Sequence, residues 1–154
     1  MIRFDKLTMK SQEALQAAGE LAAGQGHPEI SALHLLKALL EQEDGIVRPL
    51  VKKLGADLSG MLADVDGRLG SLPSVNGEAA QPQISHALRS LLDTAFKTAS
   101  KLKDEFVSTE HLILAALFLS WASNNLATSH QYKKQLEEAN EAHKLAVADL
   151  NQTI

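Results

Sequence analysis

Ile30-Ser31-Ala32-Leu33-His34-Leu35-Leu36-Lys37-Ala38-Leu39-Leu40 and Val107-Ser108-Thr109-Glu110-His111-Leu112-Ile113-Leu114-Ala115-Ala116-Leu117 carry one pattern. In each, a serine stands three residues before a histidine that opens an apolar helical run. The offset is constant (111 − 34 = 77) and also pairs Leu15 with Leu92, Ala18 with Ala95 and Ala22 with Ala99. An ungapped echo over two helical segments indicates duplication of one helical unit. The expected fold is all-α: two pseudo-symmetric four-helix units packed side by side, residues 1–69 and 84–154, joined by a linker over 70–83.

Working outward, Thr8 is placed to cap a first helix whose apolar positions are Ala14, Leu15, Ala18, Leu21 and Ala22. Gly24, Gly26 and Pro28 stop it. Ser31 caps the second helix, with Leu35, Leu36, Leu39 and Leu40 as its buried stripe, and Gly45 breaks the chain after it. Ile46, Leu50, Val51 and Leu54 predict a short third helix with Pro49 in its first turn. Gly55 ends that helix, and Leu58, Leu62, Val65 and Leu69 line a fourth. Gly70, Ser71, Pro73, Ser74, Asn76, Gly77 and Pro82 are turn formers without periodicity. Ser85 then stands in the place of Thr8, ahead of Leu88, Leu91, Leu92, Ala95, Phe96 and Ala99, and Ser108 in the place of Ser31. All nine glycines lie at or before Gly77, so the helices of the second half run longer or meet through tighter, strained turns. From His130 the composition favours helix, with Leu136, His143 and Leu150 recurring every seven residues, as do Ala139 and Ala146. This reads as a last helix packed on the second unit by one stripe.

Composition excludes several function classes. The 154 residues are 45% hydrophobic but 4% aromatic, so the core is built from Leu, Ala, Ile and Val. The absence of Cys removes disulfides, thiolate metal sites and a Cys nucleophile, and fits a reducing compartment. A net charge of −4 without a basic stripe argues against nucleic acid. The start lacks the pattern of a signal peptide. The apolar run from Leu112 to Ala122 is far short of the roughly 20 residues that span a bilayer. No His pair has the i,i+3 or i,i+4 spacing of two metal ligands on one helix face, so no metal or other cofactor is expected. His34 and His111 read as helix-start residues bonding backbone or a neighbouring carboxylate, and His27, His86, His130 and His143 as surface or loop residues. A Gly-x-Ser-x-Gly elbow and a phosphate-binding Gly-x-x-x-x-Gly-Lys-Ser/Thr loop are both absent. The chain reads as a non-catalytic binding module.

Phe4, Thr8, Ala14-Leu15, Ala18 and Ala22, together with the two echoes, resemble the double Clp N-terminal domain. Leu40-Glu41-Gln42-Glu43-Asp44-Gly45 leading to Arg48-Pro49-Leu50, the Leu72-Pro73 linker start and Asp104-Glu105-Phe106-Val107-Ser108 resemble its ClpB disaggregase branch. The resemblance covers residues 1–118 and makes each unit a Clp repeat. It implies a cytoplasmic domain, monomeric when isolated, that engages substrate at the mouth of a ring-shaped AAA+ unfoldase. The implied partners are unfolded or aggregated polypeptides and, where the chain is part of a longer protein, the ATPase rings; nucleic acid and membrane are not among them. It also implies that Thr8, Asp104 and Glu110 work on the client, with Phe4, Leu92 and Ala95 in an apolar groove between helices. From the residues alone, Thr8 is a helix cap, Glu110 a carboxylate favoured in a first turn, and Asp104 a residue that shapes the loop before Ser108. In the ClpA, ClpC and ClpV branches the same fold receives one dedicated partner, an adaptor or a secretion-sheath helix. From Phe118 onward the chain departs from the family pattern. Gln131 or Tyr132 stands where a glycine precedes the last helix, and neither the Arg-Gly-Gly-type linker nor a Walker loop follows.

Overall fold

A computed structural model describes residues 2–75, 81–122 and 141. A 3-10 turn over Phe4–Lys6 leads into helix α1 (Met9–Gly24), followed by strand β1 (Glu29–Ile30), α2 (Ala32–Glu41), α3 (Val47–Lys53) and α4 (Leu58–Gly70). Strand β2 (Gln83–Ile84) then precedes α5 (His86–Lys101) and α6 (Thr109–Ala122). The caps stand where the sequence places them. Thr8 Oγ1 accepts the Ser11 N–H at 3.2 Å, and its counterpart Ser85 accepts the Leu88 N–H at 3.0 Å. The two strands are an addition to the all-helical expectation: Gln83 and Ile84, read as linker end and helix approach, pair in parallel with Glu29 and Ile30. The helix read from His130 and the linker residues 76–80 lie outside the described residues.

Helix α2 is the hub, touching α1, α3, α4, α5 and α6. Its Leu35, Leu39 and Leu40 are fully buried, as are Leu88, Leu91 and Leu92 of α5 and Leu112 and Ile113 of α6. Truncating any of them to Ala would cost about 2–5 kcal/mol through lost transfer energy and the cavity left behind. α1 presents a small face to this core, Ala14, Ala18 and Ala22, and α5 adds Ala95 and Ala99 to its buried leucines. Small residues there let the helix axes approach closely. At the rim, Lys37 of α2 pairs with Asp66 of α4 and with Glu41 at 3.5 Å. The hydrogen bond to Asp66 raises its pKa and keeps the ammonium charged.

The halves exchange their backbones. Leu7 bridges to Val107, and Ile30 pairs with Ile84. Under the 77-residue offset Leu7 corresponds to Ile84 and Ile30 to Val107, so these are the same contact made in both directions. The bonds match: Thr8 N–H donates to Val107 O at 3.0 Å and Ser85 N–H to Ile30 O at 3.1 Å.

The loops after α1 and α5 are also built alike. Each helix ends with two nested backbone bonds around one left-handed residue. Gly26 N–H donates to Ala23 O and His27 N–H to Ala22 O; Lys103 N–H donates to Ser100 O and Asp104 N–H to Ala99 O. The left-handed residue is Gly26 (φ +70°) in the first half and Lys103 (φ +60°) in the second. This is the strained turn anticipated from the missing glycines. The following residue, His27 or Asp104, then receives the buried histidine of the next helix. His34 Nδ1 accepts the Ser31 N–H at 2.9 Å, which leaves the proton on Nε2, 2.7 Å from His27 Nδ1. His111 Nδ1 accepts the Ser108 N–H at 2.9 Å, and its Nε2 lies 2.8 Å from Asp104 Oδ2. His27 stands in a loop, as one half of its surface-or-loop reading has it, but at 6% exposure it is not a surface residue: its ring is needed as the acceptor inside this loop.

Two predictions follow from these loops. Gly26→Ala places a Cβ 3.3 Å from Val75 O at a positive φ, and its expected cost is about 1–2 kcal/mol. Lys103→Gly relieves the same conformation and is expected to gain up to about 1 kcal/mol after the added freedom of its unfolded chain. Denaturant unfolding of the two variants should move in opposite directions. The second concerns acid. Burial, and then the neighbouring His27, lower the His34 pKa from 6.5 to about 4. The unfolded chain therefore takes up a proton that the folded chain refuses, so stability present above pH about 6.5 declines as the pH falls toward 4, by up to about 3 kcal/mol. His27→Asp supplies the carboxylate found in the second half and should flatten this decline, read as the difference in urea midpoint between pH 7.5 and pH 5.

Candidate functional site

The Leu7–Val107 bridge brings two helix starts together. Thr8, Met9 and Lys10 at the head of α1 and Ser108, Thr109 and Glu110 at the head of α6 line one open cleft of about 560 Å³. Asp44, Gly45 and Ile46, between α2 and α3, line its remaining side. A polar relay fixes the bridge beneath it. Thr8 Oγ1 donates to Ser11 Oγ at 3.0 Å, and the fully buried Ser11 Oγ donates to Val107 O at 2.9 Å. Lys6 lies 3.8 Å from a Glu105 carboxylate oxygen and 5.4 Å from the centre of the Phe106 ring, tying the entry segment to the loop before α6.

The cleft mixes two apolar side chains, Met9 and Ile46, with fixed charge. Met9 is 77% exposed, too much for a core residue at the start of an amphipathic helix, and its thioether adapts to varied apolar shapes. Glu110 and Asp44 bring carboxylates to the cleft lining; Lys10 brings an ammonium already paired with Glu13 at 3.2 Å. Such a surface accommodates a short apolar segment flanked by basic or neutral groups and disfavours an acidic one.

The residues expected at a site separate into four groups. Thr8 and Glu110 share the cleft. Asp104 stands behind it, its Oδ2 accepting the Nε2 proton of His111, the residue after Glu110. Leu92 and Ala95 are both fully buried on α5, which corrects their placement in a groove: they pack the core and offer no surface to a bound chain. Phe4, 51% exposed, lines a second cleft of about 660 Å³ with Leu15, Gly19, Ile30, Pro82 and Ile84, rimmed by Gln12, Gln16, Glu20 and Gln81. Met9 and Lys10 are absent from the sequence expectations, and Asp44 enters them only as part of the stretch 40–45, with no role at a site. Only Met9 carried a signal, as an apolar residue outside the buried stripe of α1.

Among the described residues, no group of three or more His, Asp or Glu is arranged to hold a metal ion. No described helix is long and apolar enough to cross a membrane.

Comparison with known proteins agrees with this architecture. The family model for the Clp repeat (R) N-terminal domain matches residues 6–121. The chaperone protein ClpB of Pseudomonas putida is 37% identical over 139 residues, covering 90% of this chain but 16% of the relative. The chain thus spans about a sixth of the length of that curated relative. The N-terminal domain of Hsp104 from Candida albicans superposes with a TM-score of 0.75 at 23% identity, covering 88% of this chain and 91% of that one. A ClpV N-domain solved in complex with a VipB peptide superposes with a TM-score of 0.60 at 28% identity, over 73% of this chain and 68% of that one. The exchanged backbone bridges, the paired loops and these matches have one conclusion: the chain belongs to the Clp repeat N-terminal domain family.

Proposed function

We propose that this chain is the non-catalytic, client-engaging domain of a ClpB-type ATP-dependent disaggregase, working in the cytoplasm, and that it takes exposed hydrophobic segments of unfolded or aggregated polypeptides. The observation that carries the reading is the cleft between the heads of α1 and α6, where Thr8 and Glu110 flank the exposed Met9. Contacts there are few and partly solvated, so each binding event is weak and tolerant of sequence. That suits a domain that samples many clients and leaves threading to the ATPase rings.

A second reading rests on the other cleft. The Phe4, Leu15, Ile30 and Ile84 surface is apolar with a nearly uncharged amide rim, as a helix from one dedicated partner would require. The likeness to a ClpV N-domain that holds a VipB peptide supports it.

An NMR titration of the isotope-labelled chain with a reduced, carboxymethylated globular protein distinguishes the two. Client engagement predicts shifts at Thr8–Ser11, Asp44–Ile46 and Ser108–Glu110, and Glu110→Ala should weaken binding roughly three- to fivefold, the scale of one solvated charge. Thr8→Ala is expected to lose about 1 kcal/mol of stability as well, through its cap, whereas Thr8→Ser keeps the cap. Absence of shifts up to millimolar client would favour the dedicated partner instead, and shifts confined to Leu15, Gly19, Ile30 and Ile84 would move client engagement to the second cleft.

A further inference from the structure

We propose that Asp104 is a positioning residue for the cleft and not itself a contact for the client, an inference that rests on the client-binding reading above. Its carboxylate accepts the Nε2 proton of His111, and that bond selects the tautomer in which Nδ1 accepts the Ser108 N–H. His111 is 2% exposed, so its ring is held on both sides inside the loop. Ser108 is the residue from which α6 starts, and Glu110 follows two residues later at the cleft. Asp104 thereby sets where the Glu110 carboxylate is presented.

The molecule contains its own control. In the first half the same relay runs from His27 through His34 to Ser31, at 2.7 and 2.9 Å against 2.8 and 2.9 Å in the second. There it leads to Leu33, the counterpart of Glu110 under the 77-residue offset, and to no carboxylate. The relay is therefore present where no charged edge needs a charged neighbour, so its common purpose is to fix the start of the following helix. What the position requires is a hydrogen-bond acceptor, and the two halves use different ones. The second half has the charge-assisted version, which is stronger than a bond between two neutral imidazoles. It also has the strained left-handed Lys103 next door, where the first half has Gly26. A stronger acceptor offsets the conformational cost of that lysine. In Asp104→Asn the amide oxygen still accepts from His111, and Asp104→His reproduces the arrangement already present at His27. Asp104→Ala alone removes the acceptor.

The test uses these three variants of the 154-residue chain at pH 8, with Glu110→Gln as a fourth. Each is titrated with the reduced, carboxymethylated protein, and the Ser108 amide proton shift and the His111 ring nitrogen shifts are read in the absence of client. Asp104→Asn and Asp104→His are expected to bind within about twofold of the parent, with the Ser108 amide and the His111 tautomer unchanged. Asp104→Ala should bind several-fold more weakly, move the Ser108 amide and release the tautomer preference. If Asp104→Asn binds as poorly as Asp104→Ala while its Ser108 and His111 signals match the parent, the carboxylate itself meets the client and the proposal falls. It falls equally if Asp104→Ala leaves the Ser108 amide and His111 in place. Should the parent chain and Glu110→Gln both show no client binding, the functional reading fails; the positioning role is then decided by the Ser108 and His111 signals alone.

Discussion

Backbone pairing across the seam between the two halves is the constraint on which the rest of the structure depends. Leu7 with Val107 and Ile30 with Ile84 are one contact made twice, each joining the entry segment of one half to the inter-helix loop of the other. A single such bond contributes only about 1 kcal/mol net, but a buried backbone group left without a partner costs more than that. The pairing therefore acts mainly as a register. It decides which residue of the entry segment lies beside which residue of the loop, and so which helix starts become neighbours. Ser11, fully buried, reinforces that register by reaching the carbonyl of Val107. The cleft between α1 and α6 is the surface this register leaves exposed.

Duplication supplied two such mouths, and the residues at them have diverged. Beside the Leu7 bridge stand Met9, Lys10 and Glu110; at the equivalent positions beside Ile84 stand His86, Ala87 and Leu33. The supporting loops diverged with them, from Gly26 and His27 to Lys103 and Asp104. One scaffold thus holds a charged edge at one end of its seam and a nearly neutral one at the other. The geometry is common to both ends, and the chemistry belongs to one.

Much of this was legible in the sequence because it repeats at short range. Thr8, Ser31, Ser85 and Ser108 announce helix starts, and the leucines three and four residues apart announce the buried faces. The constant offset announced the duplication. What was illegible depends on contacts between distant segments. Two-residue strands carry no periodicity, so Gln83 read as the end of the linker and Ile84 as the approach to a helix. Leu92 and Ala95 are apolar, and an apolar residue in a groove has the same letter as one in the core. His27 stands between Gly26 and Pro28 in a loop, which suggests exposure; its burial comes from the ring of His34, brought back onto it by the fold. Met9 and Asp44 reach the same cleft from different elements, a juxtaposition that only the Leu7–Val107 register creates.

Partners in the Leu7–Val107 bridge are 100 residues apart, so the order of synthesis matters. As the chain emerges from a ribosome, α1 through α4 can gather around α2, yet the backbone of Ile30 waits for Ile84 and that of Leu7 waits longer still. The last side of α2 closes only when α5 and α6 arrive. The edge formed by Thr8, Met9 and Glu110 does not exist before then, because half of it has not been made. On the client-binding proposal above, a nascent copy would have no such edge with which to hold another nascent chain, or its own unfinished remainder, until its own folding is nearly complete. The order of synthesis would then separate the interval in which the chain exposes its own apolar segments from the state in which it could hold those of others.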